Sequence, residues 1–375
     1  MTESGPTDAL DLSRYKLVPA PDAEQLSPEE QSEYRAFRRA FIAWLHVEGK
    51  DPASVEGYAP KTVENTAYRT SKFFRYVWEE EGQFTLEVRP KHADGYLDNL
   101  AYSDASDAHC DGERKALLRL FRWLSNEREY PAWEPKRSFS PTSSVRPPDY
   151  LTLEERSQVR EAALAYGSIP AYNDLSPTAR RRWKQYLADL HGIEPSAVQP
   201  SHWDGIQGWK HPSLVWCSLD AGLRPHEVEH ARVEWVDLQN QLLRIPVEQS
   251  AKNEENWHVA LTKRTTDALA SWLAERECYE MYDGRDVLWL TREGNPYGSQ
   301  SLRRLLARLC ELAEISTDNR QLSWYAIRHS VGTYMVRERG LAAAQAQLRH
   351  KRPETTMKYD AVPVEDRRAA LERME

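Results

Sequence analysis

The chain has 375 residues, enough for two domains, and its 40% hydrophobic and 29% charged content is that of a folded globular protein and excludes a disordered one. No apolar run approaches the ~20 residues that cross a bilayer, and MTESGPTDALDLSR lacks the basic and apolar stretches of a signal peptide, so the expected location is the cytoplasm with no membrane partner. The net charge of −8, 50 basic against 58 acidic residues, leaves nucleic-acid binding to local clustering of basic side chains.

Residues 1–27 are acidic and rich in Pro, Ser and Asp, and read as a flexible lead-in. From Ser27, Tyr34, Phe37, Phe41, Trp44 and Leu45 recur at helical spacing, with Gly49 placed where a left-handed cap would end the helix. Val63, Ala67, Phe74, Val77 and Trp78 form a second stripe, HADGYLDNL a shorter helix, and Leu117, Leu118, Phe121 and Leu124 a third stripe. Residues 28–130 are therefore an all-helical domain. Lys61, Arg69, Lys72 and Arg75 on the second helix, and Arg114, Lys115, Arg119 and Arg122 on the last, form either solvated faces or one phosphate-facing surface. Repetition on two helices favours the surface.

PAWEPKRSFSPTSSVRPPD, residues 131–149, resists helix and is the expected linker. Residues 150–375 open on a capping box at Thr152 and Glu155, and Ser176 with Pro177 announces a helix over TARRRWKQYLADL that Gly192 closes. SLVWCSLDAGLRPHEVEHA reads as two helices around a turn at Gly222. LLRIPVE and NWHVALT, joined by QSAKNEE, predict a hairpin, and VLWLT a third strand. The remainder is helical in pattern. Residues 165–210 have no evident task. The fold class is mainly α with a small antiparallel β-sheet.

Four isolated cysteines, Cys110, Cys217, Cys278 and Cys310, have neither zinc-site nor disulfide spacing and read as buried, inert thiols. No H-E-x-x-H, aspartate cluster or Walker loop is present, so no metal or nucleotide cofactor is expected.

Six polar positions in the second domain fall into one order. GLRPHE supplies Arg224 and Glu227, AKNEENWHVAL supplies Lys252 at the hairpin tip, YAIRH supplies Arg328, and RHKRPETTMKY supplies His350 with Tyr359 nine residues later. In that order and spacing the chain, from about Ser27 onward, resembles the tyrosine recombinase or phage integrase family. The resemblance implies a helical core-binding (SAM-like) DNA-binding domain before an α+β catalytic domain. It implies cleavage and rejoining of specific double-stranded DNA sites through a 3′-phosphotyrosyl bond at Tyr359, inside a homotetramer on DNA. Arg224 and Arg328 would hold the phosphate, Lys252 would protonate the leaving 5′-oxygen, and His350 would donate a hydrogen bond to the phosphate or orient Tyr359.

Tyr325 departs from the pattern, standing where the family has the histidine of H-x-x-R. A phenol with an ordinary pKa of about 10 donates hydrogen bonds well but is a poor base at neutral pH. His329 is a nominal substitute, but a step of about 100° along a helix from Arg328 predicts that it faces elsewhere. Two alternatives share the fold: a DNA-binding architectural protein with weakened catalysis, and a type IB-like topoisomerase. The tail AVPVEDRRAALERME, with Val364, Ala370, Leu371 and Met374 as an apolar face, packs either on its own domain or on a neighbouring protomer.

Overall fold

The computed structural model describes residues 10–140, 149–247, 257–360 and 364–374. The chain divides into two compact units, residues 1–146 and 147–375.

Unit 1 is helical. A single turn α1 (Ala20–Ala23) leads into α2 (Pro28–Val47), then α3 (Pro60–Glu81), α4 (Pro90–Ala101) and α5 (Asp107–Arg128). Ser27 caps α2 by a reciprocal pair of hydrogen bonds with Glu30, which satisfies two backbone N–H groups otherwise left open at a helix start. The apolar stripes meet in one aromatic core, where Phe37 lies edge-on to Phe74 at 5.2 Å and to Trp123 at 4.9 Å.

Three expectations for this unit are corrected. Residues 10–27 are not a loose lead-in, because Leu12, Tyr15 and Leu26 join the core and the buried Asp22 carboxylate accepts from Ser71 and, at 2.5 Å, from Arg75. The segment from Pro131 to Ser140 is not a free linker either, since Trp133 packs on Phe121 and donates to Asp94 at 3.2 Å, while Arg137 pairs with Asp98. Gly49 adopts no left-handed conformation. It is small because a Cβ there would lie 2.7 Å from Leu45 Cα; the left-handed glycine caps are Gly82, Gly192 and Gly222.

Unit 2 runs α6 (Leu153–Tyr166), α7 (Pro177–His191), α8 (Lys210–Ala221) and α9 (Pro225–His230), then β1 (Val236–Asp237), β2 (Leu242–Ile245) and β3 (Trp257–Ala260). It continues with α10 (Lys263–Arg276), α11 (Ser299–Leu312), α12 (Trp324–Leu348), α13 (Pro353–Met357) and α14 (Val364–Glu372). Thr152 with Glu155 caps α6 reciprocally, and Ser176 caps α7 with Pro177 in its first turn. The sheet is antiparallel in the order β1-β2-β3, with Leu243 opposite Val259. Those residues and Ile245 point into the core, while Arg244 and His258 on the other face meet at 3.1 Å. The hairpin tip, including Lys252, lies outside the described residues.

VLWLT does not join the sheet. Val287 to Leu290 cross the core as a buried segment that pairs with other backbone only at isolated bridges, Val287 with Arg232 and Leu290 with Pro296, while side chains meet the rest: Trp272 donates to Leu288 O, Arg276 to Val287 O, and Leu290 N donates to the Tyr282 hydroxyl. The third strand is the two-residue β1 instead.

The residues from 165 to 210 form a satellite core of Trp183, Leu187, Val198 and Trp203 seated on Cys278, with Tyr279 packed against it. All four cysteines are buried free thiols. Where this insertion returns to α8, Trp209 N donates to the buried Glu275 carboxyl at 2.6 Å and Tyr279 Oη does so at 2.9 Å. Burial pushes the Glu275 carboxyl up to about 7, against the lowering effect of those hydrogen bonds and of Lys210. Between an ordinary 4.5 and about 7 the folded chain holds a proton that the unfolded chain has released, so stability must fall as pH rises through that window. Glu275→Gln should flatten this decline, which is on the order of 3 kcal/mol, in denaturant titrations across the window; an unchanged slope would remove Glu275 as its source.

Candidate active site

The site begins at the end of α8. Gly222 turns the chain in the left-handed conformation (φ 58°), where an added Cβ would sit 2.6 Å from Leu348 Cδ2. Arg224 follows as the residue before α9, and its backbone N–H donates to Glu227 Oε2 at 2.7 Å while its guanidinium reaches Glu227 Oε1 at 2.7 Å. Glu227 is fully buried. Burial alone would raise its pKa, but Arg349 and Arg224 override that and hold the carboxyl at about 2, so it is a carboxylate at neutral pH.

Helix α12 supplies the second guanidinium. Arg328 is 2% exposed and donates to Gly222 O at 2.6 Å and to Leu348 O. Burial, with Arg349 and Arg224 nearby, pulls its pKa down to about 9, still above neutrality. At its far end α12, interrupted at Gly340 (φ 79°), delivers Arg349 and His350. Arg349 holds the left-handed conformation (φ 56°), a strained choice for a residue with a Cβ. Its wholly buried guanidinium bonds Glu227 Oε2 at 2.7 Å, Ala221 O at 2.7 Å and Gln347 O at 2.8 Å.

His350 is also buried, with Nδ1 2.8 Å from Thr356 Oγ1. Burial first, then Arg328, Arg224 and other cations, lower it to about 3, so it is neutral at ordinary pH. Tyr359, 3% exposed, follows α13 and lies parallel to the His350 ring at 6.0 Å. Its ring rests on Gly332, where a Cβ would meet it at 2.8 Å. Burial raises the phenol above its ordinary pKa; Arg328 and Arg224 pull the other way.

These side chains share one open cavity of about 550 Å³. Arg224, Arg328, His350 and Tyr359 all line it, and Tyr325, 45% exposed, stands there too. Arg349, Lys351, Arg352 and Lys358 add four cations, and no carboxylate is among the lining residues. Such a cavity suits an anion with several oxygens. Lys252 cannot be placed, because it lies outside the described residues. Among the described residues no three His, Cys, Asp or Glu side chains are grouped to share a metal ion.

One expectation about this site is reversed. His329 does not face away: its Nδ1 is 3.0 Å from Tyr359 Oη. Tyr325, His329 and Gly332 follow one another at helical three- and four-residue steps, and the Tyr359 ring lies along that strip, so its hydroxyl is reached from His329 as well as from the Arg328 side. Sequence reading also missed Arg349 and Lys358. Both stand beside a candidate residue in RHKRPETTMKY, and that adjacency was the one available signal; the left-handed backbone that turns Arg349 inward has no mark in the sequence.

The basic residues expected to bind DNA in unit 1 are mostly engaged within it. Arg69 and Lys72 face the buried Glu113 at 3.7 and 3.9 Å, Arg114 and Lys115 share Asp111, Arg75 holds Asp22, and Lys61 pairs with Glu64. Arg119 lies over the Tyr58 ring at 4.7 Å, and Arg122 is exposed. Glu113 and Asp111 are each met by at least two cations, which leaves this part of α3 and α5 net positive.

Glu227→Gln would strip the buried Arg349 of its counter-charge. Removing one partner of a buried pair costs about 3–5 kcal/mol, and denaturant unfolding of the variant should show a loss of that size; a loss under about 1 kcal/mol would mean that the pair does not hold the site together.

Residues 207–365 match the family model described as the phage integrase family. Over the whole chain the fold is similar to that of the XerH site-specific recombinase bound to its difH substrate before cleavage, with a TM-score of 0.53 and 16% identity over 98% of this chain and 92% of that one. It is likewise similar to XerH on a palindromic difH substrate after cleavage, with a TM-score of 0.51 and 16% identity over 92% of this chain and 88% of that one. No curated protein matches the sequence. The matched segment spans Arg224 to Tyr359, so the part of this chain that builds the cavity is a phage integrase family domain.

Proposed function

We propose that this chain cuts and rejoins specific double-stranded DNA sites with Tyr359 as the nucleophile. The observation that carries the reading is the shared cavity: two guanidiniums from distant segments, Arg224 and Arg328, open into the same space as the Tyr359 side chain. In-line attack on a phosphodiester builds negative charge on the non-bridging oxygens, and forked, permanently charged donors stabilise it. The new Oη–P bond stores the energy of the one broken, so rejoining needs no nucleotide.

The other residues take roles around that step. His350, neutral and fixed by Thr356, donates from Nε2 to a phosphate oxygen. Tyr325 at the mouth donates from its hydroxyl. Lys252 protonates the departing 5′-oxygen. Glu227 and Arg349 touch no substrate and position the two arginine-bearing segments. The positive face of α3 and α5, with Arg69, Lys72, Arg114, Lys115, Arg119 and Arg122, lies on the DNA backbone, and Lys61 and Arg75 contribute less because their carboxylate partners are not shared. The XerH complexes contain DNA; here the partner is a pair of DNA sites held by four copies of the chain, in the cytoplasm. The exposed Leu371 and Met374 of the tail then dock on a neighbouring copy in that assembly.

Two experiments test this. Incubated with a randomised library of nicked duplexes, the wild-type chain should form a covalent protein–DNA adduct that maps to Tyr359 and disappears in Tyr359→Phe. Arg224→Ala or Arg328→Ala should slow it about a hundredfold, and DNA binding without any adduct would leave only an architectural role. Separately, Arg69→Ala with Lys72→Ala should weaken DNA binding and make its dependence on salt shallower by about two contacts; an unchanged salt slope would place the DNA on another face.

A further inference from the structure

The strand-cleaving reading leaves one proton unassigned. To attack phosphorus, Tyr359 Oη must lose its hydrogen, and the family's histidine position holds Tyr325. The groups around Tyr359 narrow the choice. Arg328 and Lys358 are cations and hold no lone pair for a proton; Lys358 Nζ lies 5.0 Å over the phenol ring. His350 lies face to face with that ring at 6.0 Å, with Nδ1 engaged by Thr356. Tyr325 is itself a phenol and offers no better acceptor than the group it would deprotonate. His329 Nδ1, at 3.0 Å, is within hydrogen-bond reach of the reacting oxygen.

We infer that His329 is the general base of cleavage: its Nδ1 takes the Tyr359 Oη proton as the nucleophile attacks. The inference rests on the strand-cleaving reading above. In the step, the Oη lone pair forms the Oη–P bond, the Oη–H proton passes to Nδ1, and the P–O5′ bond breaks with its electron pair on O5′, which takes a proton from Lys252. Rejoining runs the same transfers backwards, so the His329 imidazolium returns its proton to Tyr359.

Position favours this direction of transfer. His329 is not among the residues lining the cavity, so the acceptor stands outside the space offered to the phosphate and does not compete with it for the guanidinium donors. Its protonation state also fits. Burial first, then Lys358 and Arg328, lower its pKa to about 4, so the free protein holds a neutral imidazole ready to accept. A bound phosphate places negative charge beside those two cations. Their pull is then offset, and the imidazole becomes more basic when the substrate is present. Tyr325, at 6.2 Å between ring centroids, and Tyr359 are the remaining titratable groups facing the ring.

His329→Asn tests the assignment, because the Asn amide oxygen keeps an acceptor near the Nδ1 position but takes no proton. The substrate is the nicked duplex captured by wild type, made with sulfur in place of the leaving 5′-oxygen so that departure needs no acid. Wild type should lose adduct formation on acidification between its ordinary 6.5 and about 4, the window in which the imidazole protonates. The variant should bind DNA as wild type does, form adduct at least about a hundredfold more slowly, and lack that acid limb. Equal rates, or the same acid limb in both proteins, would overturn the assignment and leave His329 a positioning residue. Absence of the limb in wild type would overturn it without reference to the variant's folding. No adduct from wild type at all would instead sink the strand-cleaving reading on which the inference rests.

Discussion

The site depends on one buried carboxylate. Glu227 bonds Arg224, the residue that precedes its own helix, and Arg349 from the far end of α12, and both members of the Glu227–Arg349 pair are wholly removed from solvent. Burying two charges is favourable only when further hydrogen bonds satisfy them. Here Arg349 also donates to three carbonyls, at Ala221, Gly222 and Gln347. Arg328 grips the same Gly222 carbonyl, so two arginines and one acid lock three segments far apart in sequence. The cost of a left-handed Arg349, on the order of 1–2 kcal/mol, is small beside what that lock holds.

The lock explains how an acidic chain presents a cationic cavity. Glu227 sits beneath the lining residues and never reaches the open face, so the cavity shows Arg224, Arg328 and their neighbours without a competing carboxylate. The same arrangement recurs in unit 1. Asp111 and Glu113 are buried on α5, each facing two or more basic side chains, and the excess positive charge remains outermost. A net charge of −8 therefore says little about either surface.

Much of this was legible in the sequence because it rests on local rules. Ser27, Thr152 and Ser176 announce their helices through capping chemistry that needs only neighbours three residues away, and the β2–β3 pairing follows from alternating Leu243, Ile245 and Val259. Arg224, Arg328, His350 and Tyr359 stand in the family's order, and the fold brings them to one cavity. What failed depends on contacts across the chain. VLWLT has the composition of a strand, but its pairing stops at isolated bridges to Arg232 and Pro296, and side chains of Trp272, Arg276 and Tyr282 meet the backbone between. Residues 10–27 look like a loose lead-in by composition, yet Leu12, Tyr15 and Leu26 in the core and Asp22 buried against Ser71 and Arg75 anchor them. His329 reaches Tyr359 although it stands about 100° around the helix from Arg328, because the phenol lying against α12 is long enough to meet both directions.

The way Tyr359 is stored has a mechanistic consequence. A phenol opening onto Arg224, Arg328 and Lys358 would be expected to ionise readily, and a resident phenolate would occupy the donors meant for phosphate. Burial opposes this and keeps its pKa above the ordinary value, while Gly332 lets the ring settle close enough to the helix for that burial to be complete. Tyr359 is thus neutral and within hydrogen-bond reach of His329, and on the proposed reading the guanidiniums retain their charge for the phosphate. If Tyr359 is the nucleophile, as proposed, activation requires the substrate itself, whose phosphate supplies the negative charge that those cations would meet. Preorganised cations and a protonated, sheltered phenol are the two halves of that proposal, and the packing of Tyr359 on Gly332 links them.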